Sequence, residues 1–303
     1  MTEPLVVAVN PGAGSTKLAL YRGEALVREA KLEHPELAAR PAARVWDELP
    51  ARLTALRAFL GEAGVAPGAP GGALAAAVAR GGLLPPLPAG AWAVDDAMLR
   101  DLERAERGEH ASNLGAPLAR AVAAEHGCPA LVVDPVSVDE LVPVARLTGL
   151  AGVSRRSFSH ALNIRAVARR HARALGRPLE ALRLVVAHLG TGVSLAALAE
   201  GRMVDVVNPQ DEGPMSGDRA GGVPATALVD LCFAPGADRS ALKRRLFGDG
   251  GLFSHAGTRD AREVWRRAEG GDEAAALLPD AMAYQVAKAA GGLAAAQIGR
   301  AHV

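Results

Sequence analysis

The chain has 303 residues, 34 Lys and Arg against 33 Asp and Glu, and a hydrophobic fraction of 50%. That length suits two domains of ordinary size, and the near-zero net charge supplies no global field that would draw the chain to nucleic acid or to an anionic membrane. The two cysteines, Cys128 and Cys232, form neither a metal spacing nor a disulfide framework, no apolar run approaches the ~20 residues of a membrane helix, and no signal segment precedes the first strand, so a cytoplasmic protein is expected.

Leu5 to Val27, LVVAVNPGAGSTKLALYRGEALV, reads as a β-branched run, a turn rich in Gly and hydroxyls, and a second strand ending at Gly23. A third strand follows from Glu24 to His34. Apolar residues at helical spacing (Val45, Leu49, Leu53, Leu56, Phe59, Leu60) predict a helix over Ala42 to Gly64, and APGAPGG at Ala66 to Gly72 predicts a loop. Leu74 to Ala79 is a short buried strand that runs into RGGLLPPLP, where glycine and proline oppose regular structure. Helices are expected at Asp95 to Arg107 and Ser112 to His126, and a strand at Ala130 to Asp134.

A hinge is expected between Pro143 and Arg156, dividing an N-terminal lobe over 1–150 from a C-terminal lobe over 151–303. Val153 to Leu175 predicts a helix with a basic face, Arg165, Arg169, Arg170 and Arg173, read as a solvated surface. Leu184 to Asp205, LVVAHLGTGVSLAALAEGRMVD, then repeats the grammar of the opening hairpin, with Gly190 as far from Gly201 as Gly12 is from Gly23. Helices are predicted at Ala225 to Phe233, from Ser240 toward Leu246, and at Glu273 to Ala296. No late strand in this half matches those of the first, and the final residues, IGRAHV, match the translation of a common sequencing-adapter read. The second domain is therefore expected to be incomplete, with 298–303 not native.

Two copies of one hairpin argue for a duplicated α/β domain with a phosphate-cradling turn in each half. Without a Cβ, Gly12, Gly190 and Gly192 let backbone N–H groups converge on phosphate oxygens, and Ser15, Thr16 and Ser194 add hydroxyl donors. Neither turn has Walker A spacing, and neither opens a helix as a dinucleotide fingerprint does; an ordinary hairpin turn is the alternative for each. Lys17 stands out because the chain has only four lysines, Lys17, Lys31, Lys243 and Lys288. Arg219, in PMSGDRAGGVP, can grip a phosphate bidentately or serve as a plain surface arginine. His188 ends a strand beside the second turn, where Asn10 holds the matching place in the first, and either a phosphoryl contact or a structural histidine fits it. Asp134 ends a strand at VVDP, suited to Mg²⁺ through water or to capping the next turn.

These residues resemble the acetate and butyrate kinases of the acetokinase family, within the superfamily of sugar kinases, heat-shock ATPases and actin. NPGAGSTK (Asn10 to Lys17) is similar to the family's first phosphate motif and AHLGTGVS (Ala187 to Ser194) to its second signature. RGGLLPPL, GEHASNLGA, VDPVSVDE, HALNIRAVARRHA, EGPMSGDRAGGVP and DAMAYQVAK are closer to butyrate kinases, in order and up to about Ala296.

The resemblance implies two ribonuclease-H-like, actin-like ATPase domains around a cleft. It also implies reversible in-line transfer of the ATP γ-phosphoryl group to a short-chain carboxylate, butyrate or similar, giving ADP and an acyl phosphate. Arg219 and His188 would contact the transferring phosphoryl group, Asn10, Ser15 and Lys17 would cradle it, and Asp134 would lie by Mg²⁺. Arg80, Glu109 and His110 are candidates for the carboxylate. A homodimer or higher assembly is implied, with no nucleic-acid or membrane partner. The departures are Ala13 and Gly14 where the family carries Ser and Thr, Thr191 for a glycine, Ala220 for a serine, and the missing segment that would hold adenosine after Ala296. An acetate or propionate kinase, or a non-catalytic ligand-binding member, are the alternatives.

Overall fold

A computed structural model describes residues 3–35, 44–68 and 73–298. Part of the expected Ala66 to Gly72 loop, the first residues of the helix expected from Ala42, and Gly299 to Val303 lie outside the described residues. The chain divides into two compact units, Met1–Val138 and Asp139–Val303, each built on its own sheet.

In the first unit β1 (Leu5–Pro11), β2 (Ser15–Arg22) and β3 (Ala25–Glu33) form the expected antiparallel meander. β4 (Ala76–Arg80) lies parallel to β1, β6 (Ala130–Val133) lies parallel to β4, and the short β5 (Ala91–Ala93) pairs antiparallel with β6. The order is β3-β2-β1-β4-β6-β5. β5 has no signature in the sequence, because three residues are too few to show a period of two. Val9 pairs with Ala79 and Ala79 with Val132. Asn10, Arg80 and Asp134 therefore all lie along the carboxyl-terminal edge of the parallel strands, the edge where open α/β sheets place their ligands.

The meander buries one face by strict alternation: Leu5, Val7, Val9 and Pro11 of β1 and Thr16, Leu18 and Leu20 of β2 point inward. Against that face pack α1 (Leu49–Glu62) through Leu56, Phe59 and Leu60 and α3 (Gly115–His126) through Leu118 and Val122, and α2 (Asp96–Arg104) joins the same core through Leu102. Each such Leu or Phe contributes about 1.5–3 kcal/mol by leaving water. A 3₁₀ turn at Val45–Glu48 leads into α1 where the sequence pattern predicts unbroken helix, and Pro50 in the first turn of α1 fits that start.

The second unit opens with a single helical turn, α4 (Pro143–Arg146), and α5 (Ala161–Ala174). The helix expected from Val153 begins eight residues late. Leu147 and Ser154 form an antiparallel bridge, and the Arg155 guanidinium bonds Glu212, Asp205 and the carbonyls of Ala145 and Val206, so tertiary contacts hold this stretch extended. β7 (Arg183–Leu189), β8 (Val193–Ala199) and β9 (Arg202–Val207) form an antiparallel sheet in that order.

The likeness to the first meander is detailed. The turns after the second strands carry left-handed Gly23 (φ 57°) and Gly201 (φ 74°), and the ladders slip register at Leu20/Tyr21 and at Ala197/Leu198. β8 is buried on both faces. Val193, Leu195 and Ala197 pack on Val286 and Leu293 of α10 (Glu273–Ile298), while Ser194, on the opposite face, meets the start of α5. Between the sheet and α10 the chain forms α6 (Ala225–Phe233), α7 (Arg239–Phe247), α8 (Gly251–Ala256) and α9 (Ala261–Glu269). The last two are not foreseen from the sequence; both begin beside short polar or glycine stretches that hide a helical period.

Candidate active site

Alternation divides the residues of the first turn. Asn10 faces Lys17 directly across β1 and β2, and Ser15 lies on the same side as Lys17, away from the core. Thr16 points the other way, fully buried, its hydroxyl bonded to Arg52 Nη1 (3.0 Å) and to His34 Nε2 (2.9 Å). Three of the four side chains named at this turn thus share an outer face, and Thr16 belongs to the support beneath it. The backbone of Gly12 closes the turn by donating to the Ser15 carbonyl at 2.7 Å.

At the end of β4, burial pulls the Arg80 guanidinium below its usual pKa, with no ion pair to offset it among the described residues. A desolvated cation of this kind suits a carboxylate ligand. Asp134, 1% exposed and at φ 40°, accepts from Gly90 N at 2.8 Å. His110 starts the 3₁₀ turn Ala111–Leu114, where its Nδ1 accepts from Ser112 N at 3.1 Å, which leaves the neutral ring's proton on Nε2. Asn113 fixes that turn by accepting from Leu83 N and donating to the Gly108 carbonyl. Glu109 accepts from Val45 N at 2.6 Å, so its carboxylate ties down the 3₁₀ turn ahead of α1.

The second turn gathers two histidines and an arginine. The rings of His160 and His188 stack with centroids 3.8 Å apart and planes 12° from parallel. A Cβ on Gly190 would stand 3.0 Å from His188 Nε2, and one on Gly192 would stand 3.3 Å from both the Arg219 guanidinium and the His160 ring. Glycine at 190 and 192 is what lets these three side chains reach the turn. His188 Nδ1 donates to Asn163 Oδ1 at 3.0 Å. Ser194, fully buried, accepts from His160 N (3.3 Å), and its hydroxyl also lies within hydrogen-bonding distance of His160 Nδ1 (2.8 Å). Ser194 therefore acts through His160.

Arg219 Nη1 is buried without a hydrogen-bond partner, and its nearest carboxylate, Asp218, is 3.9 Å from Nε, beyond hydrogen-bonding range. A buried guanidinium donor left unsatisfied is costly, and an anion would satisfy it. Burial also raises the Asp218 pKa, against the opposing influence of Arg219 and Arg259.

Two cavities adjoin this turn. One, of about 460 Å³, is bordered by Thr191, Gly217, Arg259, Asp260 and Arg262; the other, of about 490 Å³, is apolar and bordered by Val193, Val264, Trp265 and Val286. They share Leu189, Gly190, Leu252, Ala261 and Met282 in their walls. His160, Arg259 and Asp260 are absent from the sequence-based candidates. His160 lies inside the quoted HALNIRAVARRHA motif, yet its importance arises from contact with Ser194, 34 residues away.

The Acetokinase family matches residues 145–301. A probable butyrate kinase 2 of Caldanaerobacter subterraneus subsp. tengcongensis is 42% identical over 290 residues, covering 96% of this chain and 81% of that protein. The chain belongs to the acetokinase family. It is a carboxylate kinase, a phosphotransferase with a carboxyl group as acceptor. Among solved structures, Porphyromonas gingivalis acetate kinase superposes with a TM-score of 0.75 at 20% identity, covering 98% of this chain and 81% of that one. A propionate kinase of Francisella tularensis gives 0.70 at 18%, covering 96% and 80%. These establish for this acetokinase the expected mixed α/β, actin-like ATPase fold. Among the described residues no helix is long and apolar enough to cross a membrane.

Proposed function

We propose that this acetokinase transfers the γ-phosphoryl group of ATP to butyrate or a similar short-chain carboxylate, giving ADP and an acyl phosphate. The observation that carries this reading is the convergence of His160, His188 and the under-satisfied Arg219 on the glycine turn of the second unit. Phosphoryl transfer asks a protein chiefly for positioning and charge stabilisation, and three such side chains on one turn supply both.

The paired cavities fit a nucleotide: the apolar compartment suits a base, and the compartment bordered by Arg259 and Arg262 suits phosphates. His188 and Arg219 bind the transferring phosphoryl group, with the His160 ring stacked beside them. In the first unit Asn10, Ser15 and Lys17 contact phosphate oxygens, and Arg80, with His110, takes the substrate carboxylate. Mg²⁺ neutralises phosphate charge when bound and needs only one or two protein carboxylates. Asp134, at the carboxyl-terminal edge of the sheet, would supply one through water. The protein works in the cytoplasm as a homodimer or larger assembly.

The test is trapping of the acyl phosphate as its hydroxamate in the presence of ATP, Mg²⁺ and each C2 to C5 carboxylate, for the chain and for Arg219→Ala. Product with butyrate, a fall of about 10³-fold in kcat for the variant and little change in nucleotide affinity are expected. No product with any of these acids would refute the assignment.

A further inference from the structure

A turn that grips phosphate must present its N–H groups outward, which requires its carbonyls to be held on the other side. The turn between β1 and β2 shows that arrangement, and one side chain from outside the turn accounts for most of it. Arg52 of α1 is 0% exposed. Its Nη2 donates to the carbonyls of Gly12 (2.9 Å) and Ala13 (3.2 Å), and its Nη1 donates to the Ser15 carbonyl (3.0 Å) and to Thr16 Oγ1 (3.0 Å). The remaining carbonyl, that of Gly14, accepts from His34 N at 2.9 Å. All four carbonyls from Gly12 to Ser15 are thus engaged. Of the amides, Gly12 N donates within the turn, whereas those of Ala13 and Gly14 donate to no described residue.

Glu48, one helical turn before Arg52, accepts from Nε at 2.9 Å and from Nη2 at 2.7 Å. A guanidinium this deeply buried requires such a partner, and the pair leaves the support beneath the turn without net charge. The planar fork spans three carbonyls and a hydroxyl at once. A lysine ammonium, with three donors on one atom, cannot reproduce that span.

We propose that Arg52 is a positioning residue for phosphate binding: by fixing the carbonyls of Gly12, Ala13 and Ser15 it holds the amides of Ala13 and Gly14 toward phosphoryl oxygens. This rests on the kinase reading given above. It places the determinant of the first turn's shape on α1, outside the glycine motif.

The claim is tested with Arg52→Lys and Arg52→Ala, each compared with the unaltered chain at a temperature well below melting, so that the folded fraction is matched. In the hydroxamate assay both variants are expected to lose about 10²-fold in kcat/KM for ATP, the scale of a 1 Å misplacement, with the carboxylate KM unchanged. Guanidinium ion should restore part of the Arg52→Ala rate saturably, and ammonium should not. The second readout is independent of turnover: in protein labelled with ¹⁵N-Ala and ¹⁵N-Gly, inorganic tripolyphosphate should shift the amides of Ala13 and Gly14, and these shifts should be lost in Arg52→Ala. Wild-type kcat/KM in Arg52→Lys, an unchanged tripolyphosphate titration in Arg52→Ala, or no amide shift in the unaltered chain would each overturn the proposal. An unaltered chain that shows the amide shifts but makes no acyl phosphate would overturn the kinase reading and leave the role of Arg52 standing.

Discussion

Replacing Gly251 by alanine tests how tightly the Arg219 loop is seated. Gly251 opens α8 at φ 58°, and a Cβ there would stand 1.9 Å from the Ser216 carbonyl oxygen and 2.6 Å from that of Arg219. Ordinary contact begins near 3.4 Å, so the Ser216 carbonyl must retreat by about 1.5 Å in a region packed to crystal-like density. That carbonyl accepts from Leu252 N, and the Arg219 carbonyl accepts from Ser216 N, so the displacement passes into the segment that aims the guanidinium. The left-handed backbone costs alanine about 1–2 kcal/mol and the overpacking about 1–3 kcal/mol more. Misplacing Arg219 by roughly 1 Å should lower kcat about 10²-fold in the hydroxamate assay. Gly257→Ala is the control: its φ is 72° and nothing lies within 4 Å of the added carbon, so it carries the backbone cost alone. Loss of stability in both variants with loss of turnover only in Gly251→Ala is expected. Equal turnover in the two folded variants would show that the loop does not depend on this crossing.

Asp218→Asn should raise the melting temperature at neutral pH, because burial raises the native carboxyl pKa above its unfolded value. The sign follows from linkage: the native state holds the proton more tightly, so stability is greater at low pH and falls as pH climbs from the unfolded pKa through the native one. The gain from the variant should therefore vanish below that window, and a constant gain at every pH would contradict it. Ser194→Ala removes the hydroxyl that serves His160 Nδ1, and leaving that nitrogen unsatisfied should cost about 1–3 kcal/mol in a denaturation curve. Turnover should fall about tenfold or more with nucleotide affinity kept; unchanged kcat would separate Ser194 from the orientation of His160.

The duplicated meander was legible because its signals are local: β-branched runs, glycine turns and matched spacing between Gly12 and Gly23 and between Gly190 and Gly201. Parallel pairing of β4 and β6 was accessible only as two isolated strands, since register is set by partners far along the chain. Thr16 and Ser194 read as hydroxyls of the turns. The period of two along STKLAL already assigns Thr16 to the face of Leu18 and Leu20, which the structure buries, whereas nothing local shows that Ser194 meets His160. Arg52 looked like one of many arginines. Its spacing to Leu49, Leu56, Phe59 and Leu60, however, puts it on the apolar stripe of α1, and an arginine there four residues after a glutamate is a sequence signal of a buried, partnered cation. The late start of α5 was hidden because the contacts that hold Arg155 extended come from Asp205 and Glu212, 50 and 57 residues onward.

The two copies of the meander restrain their turns by different means. In the first, the carbonyls of Gly12 and Ala13 rest on one arginine, which shares that of Ser15 with Gly12 N, and only that of Gly14 is held by main chain alone. In the second, Thr191 O accepts from Gly217 N and Gly192 O from Gly190 N, both at 3.2 Å and both main chain to main chain. A single codon change can therefore remove the side-chain part of the first restraint, whereas the second yields only to changes that move the backbone itself. Duplication has left this enzyme with one loop whose shape evolution can edit cheaply and a twin whose shape is inherited with the fold.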